Sequence, residues 1–194
     1  MQIKRLFSSL DAKGTENYLN TQKKYEIIRT LLYFGISAAL FTAGYLQTKS
    51  RLNLLTVVAV LGCLPASKSA VSAIMFLRFK SCAPDHAEKI KEHSAGLSVL
   101  FDCVFTSYKK NFKVSHLAVK GNTVCGFSED ADFQENDFYT HIDQILKMDG
   151  HKGTTVKIFV SLPKYLERLE QMKGLEEKPS GTQAVIETLK SVML

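Results

Sequence analysis

The sequence predicts an α+β (mixed α/β) protein, with an N-terminal transmembrane helical hairpin followed by a small cytoplasmic αβββαβαα domain. Three observations predict it. Residues 30–77 hold two long apolar runs separated by a short basic stretch. Beyond Ser81, short apolar segments alternate between a period of two and a helical period. The charge also divides at that point: residues 1–80 carry eleven Lys/Arg against three Asp/Glu, a balance of +8, and residues 81–194 carry fourteen against sixteen, a balance of −2. The net charge of +6 therefore belongs to the first part, and the second part has no overall attraction for phosphate backbones. Nucleic acid is not an expected partner.

Residues 1–29 read as an interfacial or cytoplasmic segment, with Leu6, Phe7 and Leu10 set among basic and polar neighbours that suit the inner leaflet. Residues 30–80 form the hairpin. From Thr30 to Thr48 there are nineteen residues without a charge. At ~1.5 Å per residue they match a hydrocarbon layer of ~30 Å. After Lys49, Ser50 and Arg51 a second run, Leu52–Leu77, is interrupted by Pro65 and Lys68. The expected second span is 52–67, with a bend at Pro65, Lys68 snorkelling to the headgroups and residues 69–80 leaving along the interface. Lys/Arg counts favour the two outer flanks (Lys4, Arg5, Lys13, Lys23, Lys24, Arg29; Arg78, Lys80, Lys89, Lys91) over the turn, so both termini are expected in the cytoplasm. Gly35, Ala39 and Ala43 make a small-residue stripe on the first helix, suited to packing within the hairpin or to self-association.

Residues 81–194 form the cytoplasmic domain. Residues 83–96 read as a helix, with Pro84 in its first turn and Gly96 at its stop. Residues 97–108 read as a central strand: Leu97, Val99, Phe101, Cys103 and Phe105 share one face, and Leu100 and Val104 make the other apolar too. The segments 112–119 and 122–127 flank a hairpin turn at Lys120-Gly121. A helix entered through Ser128–Asp132, with Ser128 or Asp130 as its cap, carries Phe138, Ile142, Ile145 and Leu146 on one side and ends at Gly150. A strand over 154–162, a helix over 163–174 and a helix over 182–194 complete the order. The four cysteines are widely spaced, with no Cys-x-x-Cys pair, which points to reduced thiols and away from a zinc site. No phosphate-binding glycine motif occurs, and neither a cofactor nor a metal is expected.

The element order and the hairpin of residues 114–130 resemble the core of the restriction-endonuclease-like fold, particularly nuclease-related domains of membrane-tethered bacterial proteins. The resemblance implies an acid on the second strand, often followed by His, and an acid-x-lysine on the third, which together hold Mg²⁺ and polarise a water. Here those positions fall on Ser115 before His116, and on Ser128 and Asp130, so the carboxylates and the lysine are replaced. The full chain also resembles a group of small bacterial membrane proteins carrying an O-linked N-acetylglucosamine transferase-like label. It has no helical repeat of ~34 residues, and its ~110-residue soluble part is too small for a paired-domain nucleotide-sugar module.

The expected function is a non-catalytic binding or scaffolding protein of the bacterial inner membrane, whose partners are the lipid bilayer and a protein or a second copy of itself. An alternative is a divergent metal-dependent hydrolase or nuclease using Asp102 with Glu129 and Asp130. Separately, His116 and Cys125 on adjacent strands are a candidate thiol–imidazole pair, against their reading as buried packing residues. A further alternative is a transport or regulatory subunit, which requires Lys68 to face a polar cavity.

Overall fold

The computed structural model describes residues 12–50, 53–108, 110–151, 153–175 and 179–194. Among them lie six helices and one sheet, in the order α1 (Tyr18–Thr48), α2 (Leu54–Leu77), α3 (Pro84–His93), β1 (Ser98–Thr106), β2 (Asn111–Lys120), β3 (Thr123–Phe127), α4 (Glu135–Met148), β4 (Thr155–Phe159), α5 (Leu162–Lys173) and α6 (Pro179–Val192). This is the α+β architecture with a helical pair in front. The chain divides into two compact units: one holds Leu19–Lys80, and the other holds Ser81–Leu194 together with residues 12–18. Leu6, Phe7 and Leu10, expected at the inner leaflet, lie outside the described residues.

In the helical unit, α1 and α2 are both long and apolar enough to cross a membrane. Eighteen of the twenty-three exposed large hydrophobic side chains among the described residues lie between Ile27 and Leu77, a surface that suits lipid and would drive aggregation in water. Asn53 starts α2, its side chain accepting the Thr56 N–H at 2.8 Å. The helices meet at small residues. A Cβ on Gly62 would stand 2.7 Å from Ser37 Oγ, and one on Gly44 would stand 2.8 Å from Leu55 Cβ. Further along, Thr30 Oγ1 lies 2.9 Å from Ser69 Oγ, and Arg29 Nε donates to the same oxygen at 3.2 Å.

Three expectations for this unit change. The first helix begins at Tyr18, so residues 18–29 extend it instead of forming a separate interfacial segment. The second runs unbroken through Pro65 to Leu77, where a stop at 67 was expected. Ala59, Ala66, Ser69, Ala73 and Phe76 are buried along it, so packing persists on both sides of the proline and offsets the hydrogen bond it forfeits. The stripe of Gly35, Ala39 and Ala43 is exposed, and the face of α1 turned to α2 carries Thr30, Ser37 and Gly44 instead.

The sheet has the order β1-β2-β3-β4, with the first three strands antiparallel and β4 parallel to β3. One face packs against Phe138, Ile142 and Leu146 of α4 and Val185, Ile186 and Leu189 of α6. The other packs against Ala87 and Ile90 of α3 and Tyr165, Leu169 and Met172 of α5. β1 was expected at the centre because it is apolar on both sides, yet it stands at the edge. Its rim is sealed locally: Phe101 N–H donates to Gly14 O at 2.8 Å, and Leu194 N–H donates to Val104 O at 2.9 Å. Gly14 is needed there, since its φ is +80° and a Cβ would lie 2.5 Å from Leu100 Cδ2.

The alternation of β1 also breaks. Leu97, Val99 and Phe101 face α3 and α5, whereas Cys103 and Phe105 face α4 and α6. The cause is Asp102, whose φ of +53° is left-handed and turns the next side chain to the opposite face. The β2–β3 turn is Gly121-Asn122, one residue later than expected, with Lys120 paired to Thr123. Helix α4 starts at Glu135, and Gln134, not Ser128 or Asp130, precedes it.

Candidate functional site

The polar residues of the sheet unit gather where β3 ends and α3 begins. Ser128 leaves β3 fully buried; its hydroxyl donates to Lys113 O at 2.9 Å and accepts the Asp130 N–H at 3.2 Å. That bond turns the chain so that Glu129 points back over the sheet. Glu129 Oε1 accepts the Ala83 N–H at 2.9 Å, lies 2.9 Å from His86 Nδ1, and takes a long contact of 3.8 Å from Cys82 Sγ. Its Oε2 accepts Lys113 Nζ at 2.9 Å and Ser115 Oγ at 3.0 Å. Both oxygens are therefore occupied by the protein itself.

Electrostatics follows from this packing. Burial alone would raise the Glu129 carboxyl, but the bonds from Lys113, Ala83 N–H and His86 outweigh it and hold the group at about 2. Asp102 is fully buried, and its Oδ1 accepts the Cys82 N–H at 2.7 Å. Two carboxylates thus receive the amides of consecutive residues, Cys82 and Ala83, at the entry to α3. Ala83 has no side chain to cap the helix, so Glu129 supplies the acceptor and places negative charge at the helix N-terminus. The Cys82 thiol is pushed up to about 12, by burial first and then by the charges of Glu129 and Asp102, so it stays protonated.

The other candidates lie elsewhere. His116 Nδ1 is 2.6 Å from Tyr165 Oη, and the ring stands edge-on to Phe101 with centroids 4.4 Å apart. Burial lowers His116 to about 3, which keeps the imidazole neutral. In the β2–β3 register His116 stands opposite Phe127 and Cys125 opposite Ala118. Cys125 is buried, and burial raises its thiol despite the nearby Arg168. His116 bonds to the tyrosine instead of the thiol, so the thiol–imidazole pair is not assembled. Asp130 is exposed, its Oδ1 accepting the Asp132 N–H at 3.1 Å in a local turn. Lys68 is exposed on α2 beside Ser69, level with the start of the apolar run on α1.

The structure thus brings Asp102 and Glu129 to one place and leaves His116, Cys125 and Asp130 outside it. Lys113, Ser115 and His86 complete the cluster. Lys113 was not foreseen: a lysine was sought two residues along from an acid on β3, and it comes instead from the neighbouring strand. Its exposed-looking position in "NFKVSH" gave the one available signal, a charge on an otherwise apolar strand. Among the described residues no group of three or more His, Cys, Asp or Glu is arranged to hold a metal ion. Compared with protein-family models, curated proteins and solved structures, the chain finds no match.

Proposed function

We propose that this chain is a membrane-anchored binding or scaffolding protein whose sheet unit is non-catalytic. In this reading α1 and α2 sit in the inner membrane of a bacterium with both termini cytoplasmic. The Lys/Arg-rich outer flanks and the resemblance to small bacterial membrane proteins support that placement. One observation carries the reading of the sheet unit. Glu129, the acid best placed to ligate a divalent ion, has both oxygens bound by Lys113, Ser115, Ala83 N–H and His86. A magnesium ion would have to displace an ammonium and a backbone donor from it, while Asp102 is sealed beneath the surface. In this reading the resemblance to a nuclease core is one of shape, and two other acids, Asp102 and Glu129, hold the entry of α3.

A second reading is favoured by one feature: Asp102 and Glu129 both bond residues 82–83, and Lys113 bonds Glu129, so two acids and a lysine gather in one cluster. They would make a divergent metal-dependent hydrolase if the cluster opened. The transport reading draws no support from Lys68, which is exposed on α2.

The test uses the full chain in detergent micelles, incubated with single- and double-stranded nucleic acid and Mg²⁺ or Mn²⁺. The proposal expects no cleavage above that of Glu129→Gln. Cleavage that disappears in both Glu129→Gln and Asp102→Asn would overturn it in favour of the hydrolase.

A further inference from the structure

The two edges of the sheet are treated differently. β1 is closed by Gly14 and by Met193–Leu194. β4 is the opposite edge, and its register shows what it leaves open. Thr155 N–H donates to Asn122 O, and Phe159 O accepts Ser128 N–H, so residues 155, 157 and 159 turn their main-chain groups toward β3. The N–H and C=O of Val156 and Ile158 therefore point off the rim, and no bond to them occurs among the described residues. Val156 and Ile158 are themselves only 8% and 3% exposed, so the unpaired groups meet solvent through the clefts that flank the rim and not on a flat surface. On one side, β4 and α5 wall a cleft of about 490 Å³ lined by Lys157, Phe159, Lys164, Glu167, Arg168 and Gln171. On the other, a smaller cleft of about 130 Å³ lies between β4 and the first turns of α4, at Glu135, Asn136 and Tyr139.

We propose that the β4 edge is a strand-addition site for an extended acidic segment of a partner protein. The segment's main chain pairs with Val156 and Ile158, and its alternate carboxylates enter the cleft of Lys157, Lys164 and Arg168. This deepens the binding reading above by naming the chemistry of the partner.

Strand addition takes affinity from main-chain hydrogen bonds and specificity from pockets that receive every second side chain. Both parts are present. The α5-side cleft holds three cations against one acid, Glu167. Among the described residues neither Lys157 nor Lys164 has an ion-pair partner; Lys157 Nζ instead stands 5.1 Å from the Phe159 ring centroid, and Arg168, which bonds the Gln171 side chain at 3.0 Å and also the Cys125 side chain, has no carboxylate partner. The α4-side cleft sets Glu135 against Lys157 and so has no excess of positive charge, which favours neutral side chains there and acidic ones on the α5 side.

Charge also argues against a second copy of the chain. An antiparallel pairing that used both Val156 and Ile158 would be centred on Lys157 and would set the two lysines opposite each other on one face. The same lysine discourages indiscriminate edge pairing, as charges on open strands do, while accepting a carboxylate-bearing one.

The experiment measures fluorescence anisotropy of a short labelled peptide alternating glutamate with valine, titrated with the full chain in detergent micelles. Three comparisons accompany it: lysine in place of glutamate, N-methylation of alternate peptide amides, and Lys157→Glu with Arg168→Glu in the protein. The acidic peptide is expected to bind, and each change to weaken it by about tenfold or more. Because methylation alters only the ligand, its result stands even if the protein variant folds poorly. Amide hydrogen exchange should slow at Val156 and Ile158 when the peptide is added.

Four results would overturn the proposal. They are undiminished binding of the methylated peptide, no binding at about millimolar concentration, displacement by single-stranded oligonucleotide at the same cleft, and protection of those two amides by raising protein concentration alone. Cleavage assays on the same preparation keep the two claims apart. Failure of the peptide leaves the scaffold reading standing, and cleavage sensitive to Glu129 removes that reading without touching this edge.

Discussion

At Glu129 one carboxylate serves Ala83 N–H, His86, Cys82, Lys113 and Ser115 together, and its ionisation is accordingly tied to folding. The group falls from 4.5 to about 2, so its contribution is fully present above the ordinary glutamate range and is lost as the pH drops toward the folded value. Allowing for solvent screening, Glu129→Gln should cost roughly 1–2 kcal/mol at neutral pH and flatten the acid limb of the stability profile. Thermal melts of the sheet unit's circular dichroism between pH 7 and pH 3 would show it. The same substitution removes a negative charge from beside Cys82, whose thiol stands at about 12, so alkylation of Cys82 near pH 8 should accelerate. Mass-spectrometric labelling rates read that directly, and an unchanged rate would mean that burial alone protects the thiol. Asp102 combines a left-handed φ of +53° with the bond to Cys82 N–H. Asn tolerates that backbone and keeps an acceptor, so Asp102→Asn should be milder than Asp102→Ala by about 1 kcal/mol in chemical denaturation.

For the elements, the sharpest prediction concerns which face of α1 meets α2. With native cysteines replaced, Thr30→Cys and Ser69→Cys should form a disulfide on mild oxidation, because their hydroxyls already lie 2.9 Å apart. Gly35→Cys paired with Ser69→Cys should not, since Gly35 has nothing within 4 Å of its added Cβ. Migration on non-reducing gels decides between them. The stripe of Gly35, Ala39 and Ala43 shows why the sequence misled here: several faces of an apolar helix carry small residues, and periodicity does not say which one a neighbour occupies. Element existence was legible because Pro84, Pro163, Gly96, Gly150 and Gly174 punctuate helices by local backbone rules. The edge position of β1 was not, because burial on both faces looks the same whether the rim is closed by a strand or by Gly14 and Leu194. Nor was the break in alternation, which depends on one left-handed aspartate that composition does not reveal. At the site, Asp102 and Glu129 were named from their chemistry, but their partner Lys113 arrives across the sheet through register.

On the scale of the whole molecule, the chain contributes to its sheet unit before it enters α1 and again after it leaves α2. Residues 12–18 group with Ser81–Leu194, Gly14 bonding β1 and Lys13 Nζ bonding Met193 O. Deleting residues 1–17 should therefore destabilise the sheet unit by about 2 kcal/mol, measured by its denaturation midpoint, although the deletion lies on the far side of two apolar helices in sequence. The central claim is that the acids of this unit hold α3 in place and are not free to ligate an ion. Electron paramagnetic resonance of Mn²⁺ titrated with the full chain in detergent tests it most directly. The account predicts that the free-ion signal is attenuated no more by the wild-type chain than by Glu129→Gln. A stoichiometric loss of signal that Glu129→Gln abolishes would contradict it.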